Sequence, residues 1–290
     1  MRVLVTGASG QLGAYLLTAL PALGHDVIAW SGPAPEVRDG VSLTPVDLRD
    51  PAATQAALDA ARPEGVIHLA ALSAAEAVRL DPVTARAVNV EATQRLAAWC
   101  ARHDARLVFT STDLVFDGSR SWNREDDPAE PILAYGRTKR EAEDAVLAVP
   151  RGLVARVSLL YGPSRCGRPG FFDRAIGALR EGKPQTFFGD EFRTPLDLRT
   201  AAEALARLVG HDAAGRVHVA GAERVSRFEL MQRSARALGL DVGLVRSGLR
   251  GDVPGAEPRP ADVSMDTSRL AGWLPDLVRP TIEDALAGRG

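Results

Sequence analysis

A tyrosine and a lysine stand four residues apart at the start of a predicted helix, at Tyr135 and Lys139. This spacing places both side chains on one helix face, a turn apart. A free tyrosine has a pKa of about 10, and a nearby ammonium favours the phenolate and lowers that pKa. The tyrosine can then donate a proton in carbonyl reduction or accept one in alcohol oxidation. Because the only other lysine is Lys183, we expect such a pair by chance in roughly 2% of chains of this composition.

Hydroxyl side chains stand where the predicted strand 106–111 ends, at Ser111 and Thr112. A hydroxyl at this edge of a sheet can donate a hydrogen bond to a reacting oxygen as negative charge develops on it. Either hydroxyl could instead bond to nearby backbone, which is a common role for serine and threonine. The residues alone therefore leave both candidates open.

Three glycines join the first predicted strand to the first predicted helix, at Gly7, Gly10 and Gly13. Gly7 permits a tight turn, Gly10 lets the backbone approach a pyrophosphate, and Gly13 lets the helix pack closely on the strand. The N-terminus of that helix offers N–H groups and a positive dipole end to phosphates. An ordinary glycine-rich turn is the alternative, but the position after the first strand favours a dinucleotide site.

The end of the second predicted strand bears on the choice of dinucleotide. An acid at this point would bind the adenosine ribose hydroxyls and select NAD, but the strand ends without one at Ser31. No basic residue stands in the glycine loop for a 2′-phosphate, although Arg38 follows a few residues later. We favour NADP(H), with NAD(H) as the alternative. Asp47 could accept a hydrogen bond from the adenine amino group, or it could cap the next helix together with Asp50.

Strands and helices alternate in the first half of the chain, which predicts a parallel sheet with helices on both faces. Right-handed crossovers make this a doubly wound α/β fold that binds ligands at the carboxyl ends of its strands. After about residue 158, proline and glycine become frequent. We predict a dinucleotide-binding domain over 1–157, and over 158–290 mainly a smaller substrate-binding lobe with some segments returning to the sheet. Predicted strands are 2–6, 25–30, 41–46, 65–69, 106–111 and 153–157, and predicted helices are 11–23, 51–61, 82–103, 135–148, 197–208 and 226–238.

Composition excludes several classes of function. The formal net charge of −2 gives no basic excess for a nucleic-acid partner, and no long run of like charge indicates a membrane surface. The first apolar run is too short for a signal peptide, and no stretch of about eighteen apolar residues predicts a membrane span. The two cysteines, Cys100 and Cys166, lack metal-ligand spacing, so we expect reduced thiols, no metal site and a cytoplasmic location.

Several segments together resemble a known family, and the resemblance covers nearly the whole length. The chain resembles the extended short-chain dehydrogenase/reductases and, within them, the dTDP-4-dehydrorhamnose reductases. The segments 111–118 and 259–266 are the more specific to that branch. The resemblance implies a Rossmann-type sheet with a smaller C-terminal lobe that binds the nucleotide half of the substrate. Its carriers are 5–13 (VTGASGQLG), 46–50 (VDLRD), 68–71 (HLAA), 89–90 (NV), 111–118 (STDLVFDG), 135–139 (YGRTK) and 259–266 (RPADVSMD).

The resemblance also implies roles for individual residues. Tyr135 would donate a proton, and Lys139 would also hold the nicotinamide ribose. Thr112 would be the third catalytic residue and bind the sugar C4 oxygen, with Asp113 beside it in the substrate site. Hydride would pass from the nicotinamide to C4 of a 4-keto nucleotide sugar, giving dTDP-L-rhamnose. The remaining predicted cofactor-binding residues are Gly7, Ser9, Gly10, Gln11, Leu12, Gly13, Ser31, Asp47, Leu48, Ala70, Ala71, Leu72 and Asn89.

Two other functions use the same framework. One is a nucleotide-sugar epimerase or dehydratase with tightly held NAD. A dehydratase would need an acid pair beside the hydroxyl residue, but no glutamate follows Thr112 and Asp113. The other is a non-catalytic dinucleotide-binding protein, such as the regulatory subunit of methionine adenosyltransferase, which resembles the same branch. The intact Tyr135 and Lys139 favour an enzyme. We expect a nucleotide-sugar substrate as the partner and leave a homodimer open.

Overall fold

Strands and helices alternate through the first half of the computed structural model. The structure describes residues 1–34, 36–38, 40–252 and 257–287. The strands are β1 Arg2–Thr6, β2 Asp26–Ser31, β3 Glu36–Arg38, β4 Val41–Pro45, β5 Gly65–His68, β6 Arg106–Thr112, β7 Gly152–Val157, β8 Leu160–Tyr161, β9 Gln185–Phe188, β10 Phe192–Arg193, β11 Leu196–Asp197, β12 Gly215–Val219, β13 Val225–Ser226 and β14 Val245–Gly248. The helices are α1 Gln11–Ala22, α2 Pro51–Ala61, α3 Ala75–Leu80, α4 Pro82–Arg86, α5 Ala92–His103, α6 Ala134–Leu147, α7 Phe171–Arg180, α8 Leu198–Leu208, α9 Arg227–Ala237, α10 Ser268–Trp273 and α11 Ile282–Leu286.

Eight of the described strands form one central sheet, in the order β12-β7-β6-β5-β1-β2-β4-β3. Neighbouring strands are parallel except β3 and β4, which are antiparallel. The chain runs outward from β1 through β2 on one side and through β5, β6 and β7 on the other. A crevice opens at such a reversal, at the carboxyl ends of the strands, and ligands bind there. The predicted doubly wound α/β fold is confirmed.

Helices bury both faces of this sheet. On one face, α1 and α8 pack through Leu16, Leu20 and Leu205. On the other, α2, α5 and α6 pack through Leu58 and Leu96, among other apolar residues. The central strands are buried on both sides, as parallel strands usually are. Within the described ranges, no helix is both long and apolar enough to cross a bilayer.

A second group of elements with its own apolar core follows β7 and corresponds to the smaller lobe. Phe172, Ile176, Leu230, Met231 and Ile282, which lie on α7, α9 and α11, are buried together there. The strand β12 leaves this lobe and pairs with β7 at the edge of the central sheet. The division of the chain at residues 157 and 158, and a substrate-binding role for the lobe, stay predictions.

The helix predicted over 82–103 is interrupted. A π-helical turn at Ala87–Glu91 separates α4 from α5, although the helical path continues through it. The side chain of Asn89 lies in this turn and is fully buried. Single π turns inside helices occur frequently at functional sites. Here the turn carries a buried amide whose bonds reach two other segments, and this explains a departure that helical periodicity could not predict.

Candidate active site

An open cavity of about 710 Å³ lies at the carboxyl ends of β1, β2, β5, β6 and β7. This volume lies in the usual range for small-molecule and cofactor sites. Leu72, Asn89 and Asp113 are outside its lining. The predicted site residues that line it are Gly7, Ser9, Gly10, Gln11, Leu12, Gly13, Ser31, Asp47, Leu48, Ala70, Ala71, Thr112, Tyr135 and Lys139.

The glycine loop has the close contacts that a dinucleotide site needs. Gly7 has φ +68°, and a Cβ on it would lie 2.8 Å from the backbone nitrogen of Ala70. A Cβ on Gly13 would lie 2.5 Å from the Gly7 carbonyl oxygen. Gly10 precedes α1, and no side chain caps that helix. The first N–H groups of α1 are therefore available to an anion in the cavity, as a pyrophosphate site requires.

A buried histidine supports this loop from β5. His68 Nδ1 lies 2.6 Å from Thr6 Oγ1, and its Nε2 lies 3.0 Å from Thr93 Oγ1. The Thr6 hydroxyl in turn accepts a hydrogen bond from the backbone N–H of Ala70. Burial, assisted by the charge of Lys139, lowers the pKa of His68 to about 3. This neutral histidine joins the ends of β1 and β5 beneath the cofactor loop, a role that its place in the HLAA segment alone does not reveal.

Asn89 lies behind the cavity wall and binds the backbone of the segment that follows β5. Its Oδ1 accepts the backbone N–H of Leu72, and its Nδ2 donates to the Leu72 carbonyl and to Thr138 Oγ1. All three bonds are 2.8–3.0 Å long. The amide thereby ties the segment after β5 to α6, the helix of Tyr135 and Lys139. Direct contact of Leu72 or Asn89 with a cofactor stays a prediction.

The polar side chains Asp47 and Ser31, which line the cavity near the end of β2, already have partners within the protein. Asp47 accepts a two-point hydrogen bond from the Arg49 guanidinium, and that contact holds the pKa of the Asp47 carboxyl below its usual range. Asp50, not Asp47, caps α2. The Ser31 hydroxyl donates to the Ala34 carbonyl at 2.6 Å. The side chain of Arg38 lies outside the part of the chain that the structure describes.

The start of α6 brings Tyr135 and Lys139 to the cavity beside the end of β6. Gly136 lies between them against the carbonyl oxygen of Leu114, so close that a Cβ at this position would collide with that backbone. Glycine therefore lets α6 approach the turn that follows Thr112. The predicted tyrosine, lysine and threonine thus line one cavity, and the end of β6 and the start of α6 position them.

Burial dominates the electrostatics of the pair. Lys139 is 1% exposed, and its Nζ lies 4.0 Å from the centroid of the Phe109 ring. Burial lowers the pKa of Lys139 to about 7, against the opposing effect of Glu143. The pKa of Tyr135 is raised by burial and by Asp113, and Arg193 only partly offsets this. The expected lowering of the tyrosine pKa by its lysine is therefore wrong, because spacing along a helix says nothing about desolvation.

The two candidate hydroxyls differ in their partners. Ser111 donates a short hydrogen bond of 2.6 Å to the buried carboxylate of Glu143, which is also paired with Arg156. Thr112 donates to Asp113 at 3.2 Å and accepts the Leu114 N–H at 3.2 Å. The long bonds leave the Thr112 hydroxyl the easier of the two to redirect toward a ligand. This geometry favours Thr112 and adds Glu143 as a group behind the site.

Asp113 is held by an arginine from the smaller lobe. Its side chain is 1% exposed, and both carboxylate oxygens accept Arg193 Nη1, at 2.8 and 2.9 Å. Ser158 also donates to it, and Arg193 reaches on to the buried Glu191. The carboxylate accepts a hydrogen bond from Thr112, but it is also bound to these partners, and its place in the substrate site stays a prediction. No sequence motif indicated Arg193 as the partner of Asp113.

The two segments most specific to the resemblance lie against each other. Gly118, with φ +87°, ends the first segment, and a Cβ on it would lie 2.5 Å from the Ala261 nitrogen. The N–H of Asp262 donates to the Gly118 carbonyl, and Asp262 is ion-paired with Arg224. Segment 259–266 thus packs beneath the loop that follows Thr112. Arg259 belongs to the same region, 3.5 Å from Glu191.

Comparisons with known proteins identify the family of the chain. The family model described as RmlD substrate binding domain matches residues 1–286. A probable low-salt glycan biosynthesis reductase of Haloferax volcanii is 32% identical, over 99% of this chain and 96% of that protein. A dTDP-4-dehydrorhamnose reductase of Streptomyces griseus is 34% identical, over 94% of this chain and 89% of that protein.

A solved structure shares the fold over nearly its whole length. It is a dTDP-4-dehydrorhamnose reductase from Bacillus anthracis in complex with NADP, similar with a TM-score of 0.86 at 24% identity. The match covers 98% of this chain and 96% of that one. The chain belongs to the RmlD substrate-binding-domain family, and its resemblance to the dTDP-4-dehydrorhamnose reductases is confirmed.

Proposed function

We propose that this protein reduces the C4 keto group of dTDP-4-dehydro-L-rhamnose with NADPH, giving dTDP-L-rhamnose. The observation that carries the proposal is the shared cavity: Thr112, Tyr135 and Lys139 line the same space as the glycine loop. A dinucleotide on the loop and a carbonyl at the tyrosine would therefore meet in one site. The smaller lobe contacts Asp113 through Arg193, and it would bind the nucleotide half of the substrate.

The chemistry divides between the cofactor and the chain. NADPH supplies a hydride to C4, and a proton must reach the C4 oxygen. Tyr135 donates that proton, and its raised pKa keeps the phenol protonated at neutral pH, as the reducing direction requires. Thr112 donates a hydrogen bond to the same oxygen as charge develops on it. Lys139 lines the same cavity one helical turn after Tyr135, and its ammonium would bind the ribose hydroxyls of the cofactor.

NADP(H) is the proposed cofactor, for reasons of charge. A carboxylate that accepts ribose hydroxyls would select NAD, but β2 ends at Ser31, whose hydroxyl already bonds to the Ala34 carbonyl. The carboxylate of Asp47, farther along the same wall, is neutralised by Arg49. The related fold from Bacillus anthracis accommodates NADP.

A direct assay tests the proposal. The purified protein is mixed with dTDP-4-dehydro-L-rhamnose and either NADPH or NADH, and the absorbance of the reduced nicotinamide is followed. We expect oxidation that depends on the sugar, faster with NADPH, and formation of dTDP-L-rhamnose. A control without the sugar measures background oxidation. If neither cofactor is oxidised, the proposed reaction is wrong.

The buried lysine predicts a pH dependence. With a pKa of about 7, the ammonium of Lys139 loses its proton as the pH rises through neutrality. Since catalysis uses the charged form, kcat/KM should fall as pH rises from about 6 to 9. Arginine keeps its positive charge over this whole pH range. The Lys139→Arg variant should therefore be less active than wild type, but its kcat/KM should not fall between about pH 6 and 9. A wild-type profile that is flat over this range would show that Lys139 stays protonated and would contradict its lowered pKa.

A further inference from the structure

A segment from the start of the smaller lobe folds back over the glycine loop. It follows β8 and comprises residues 162–170. Tyr15 on α1 donates from its hydroxyl to the Pro163 carbonyl at 2.7 Å, and Gln11 Nε2 donates to the Arg168 carbonyl at 2.7 Å. Ser164 closes the segment on itself by donating to the same Arg168 carbonyl. The backbone of Arg168 is thus fixed directly above the start of α1.

The side chain of Arg168 enters the cofactor cavity at its outer end. Its Nη2 donates to the carbonyl of Ser9, and its Nη1 lies 3.4 Å from Glu36 Oε1. It lines the cavity together with Ser31 and Pro33. The side chain of Arg168 is 59% exposed, and its ion pair with Glu36 is long. Such an exposed pair is hydrated and contributes little to stability. A guanidinium has five N–H donors, and these two contacts leave some of them for a ligand.

This position matches one part of a bound dinucleotide. A pyrophosphate on the first N–H groups of α1 would direct the adenosine toward the end of β2. Ser9, Ser31 and Arg168 line this part of the cavity and would then face the adenosine ribose. The other described arginine in the lining, Arg49, already gives a two-point bond to Asp47.

We propose that Arg168 is the residue that selects NADP(H), by pairing with the 2′-phosphate of the adenosine ribose. This inference rests on the proposed dinucleotide cofactor. Planar guanidinium groups suit two-point binding of phosphate oxygens. Glu36 competes with the phosphate for Arg168. When no ligand is bound, its carboxylate holds the guanidinium in place, and when a phosphate binds Arg168, the same carboxylate repels that phosphate. The specificity determinant thus comes from the distant segment 162–170 rather than from the loop after β2.

The test compares ligands that differ only by the 2′-phosphate. Dissociation constants for NADPH, NADH, adenosine 2′,5′-bisphosphate and AMP are measured by calorimetry with wild type and Arg168→Met. We expect the variant to bind NADPH and the bisphosphate about ten- to a hundredfold more weakly, the usual effect of losing a charge-assisted hydrogen bond. Binding of NADH and AMP should change less than about twofold, and it also shows that the variant is folded.

Two further variants sharpen the comparison. Arg165→Met removes a guanidinium of the same segment that lies 4.7 Å from the Tyr15 ring and outside the cavity lining, so it should leave all four constants unchanged. Glu36→Gln removes the competing carboxylate while Arg168 remains. It should tighten binding of the bisphosphate and leave AMP unaffected. This variant tests the same contact even if Arg168→Met does not fold.

The outcomes separate the inference from the proposed function. Equal weakening of NADPH and NADH in Arg168→Met would place the arginine on the pyrophosphate and overturn the inference. Unchanged affinity for the bisphosphate in both Arg168→Met and Glu36→Gln would overturn it as well. If wild type binds neither NADPH nor NADH, the proposed cofactor itself is wrong. Reduction of the sugar with an unselective arginine would leave the proposed function standing.

Discussion

Tyr135→Phe should lower kcat for reduction of the keto sugar by about a hundredfold to ten thousandfold, the usual contribution of a general acid. The variant removes one oxygen at the start of α6 and leaves the glycine loop untouched. We therefore expect the dissociation constant for NADPH to stay within about twofold of wild type. Stopped-flow or steady-state oxidation of NADPH measures the first quantity, and equilibrium titration measures the second.

A matched control removes the same atom elsewhere. Tyr161→Phe takes a phenol oxygen from the core of the smaller lobe, outside the cavity lining, and should leave kcat nearly unchanged. Full activity of Tyr135→Phe would show that another group donates the proton. Because the pKa of Tyr135 is raised, its phenol should stay protonated near neutral pH. Any loss of wild-type activity in that range should therefore not come from ionisation of the tyrosine.

The elements of the site that sequence could predict are those set by local geometry. Glycines at Gly7, Gly10 and Gly13 are required by a tight turn and by backbone contacts within the first βα unit, so their spacing carries the prediction. The Tyr135 and Lys139 pair follows from helical periodicity. Thr112 follows from the end of a strand, although the residues alone could not separate it from Ser111. The structure separates the two hydroxyls, because Ser111 is bound to Glu143 while Thr112 has only long hydrogen bonds.

The elements that could not be predicted depend on contacts between distant segments. Arg193 reaches Asp113 from the smaller lobe, and Arg168 reaches Ser9 from the loop after β8. Each is one of many arginines in the chain, and no local pattern distinguishes them. The direction of the Tyr135 pKa shift has the same origin, because it sums burial with charges on several elements. Such sums exist only in the folded protein.

The partners of Asp113 also bear on the alternative chemistry. A dehydratase needs an acid beside the catalytic hydroxyl that can exchange a proton with the substrate. Here Arg193 and Ser158 occupy the Asp113 carboxylate, and Leu114 follows it. The carboxylate is therefore suited to positioning Thr112 and not to proton transfer. This arrangement favours a reductase that needs one proton donor, the role proposed for Tyr135, over an enzyme that needs an additional acid pair.

The Asp113–Arg193 pair carries the largest expected effect on stability. Both side chains are almost fully buried, at 1% and 6% exposure. Arg193→Met should lower the free energy of unfolding by about 3–5 kcal/mol, because it leaves the buried carboxylate of Asp113 without its ion-pair partner. Denaturant unfolding measures this change. Arg199→Met, an exposed arginine at the start of α8, is the control and should change it by less than about 0.5 kcal/mol.

The double variant shows whether the cost comes from the stranded charge. In Asp113→Asn with Arg193→Met, the buried carboxylate beside Thr112 is gone together with its partner. The loss of free energy of unfolding in the double variant should therefore be smaller than the sum of the two single losses by about 0.5–3 kcal/mol, the usual coupling of residues in contact. Additive effects would mean that the pair is not coupled. Because the arginine comes from the smaller lobe, coupling here would show that the lobe stabilises the catalytic edge of the sheet.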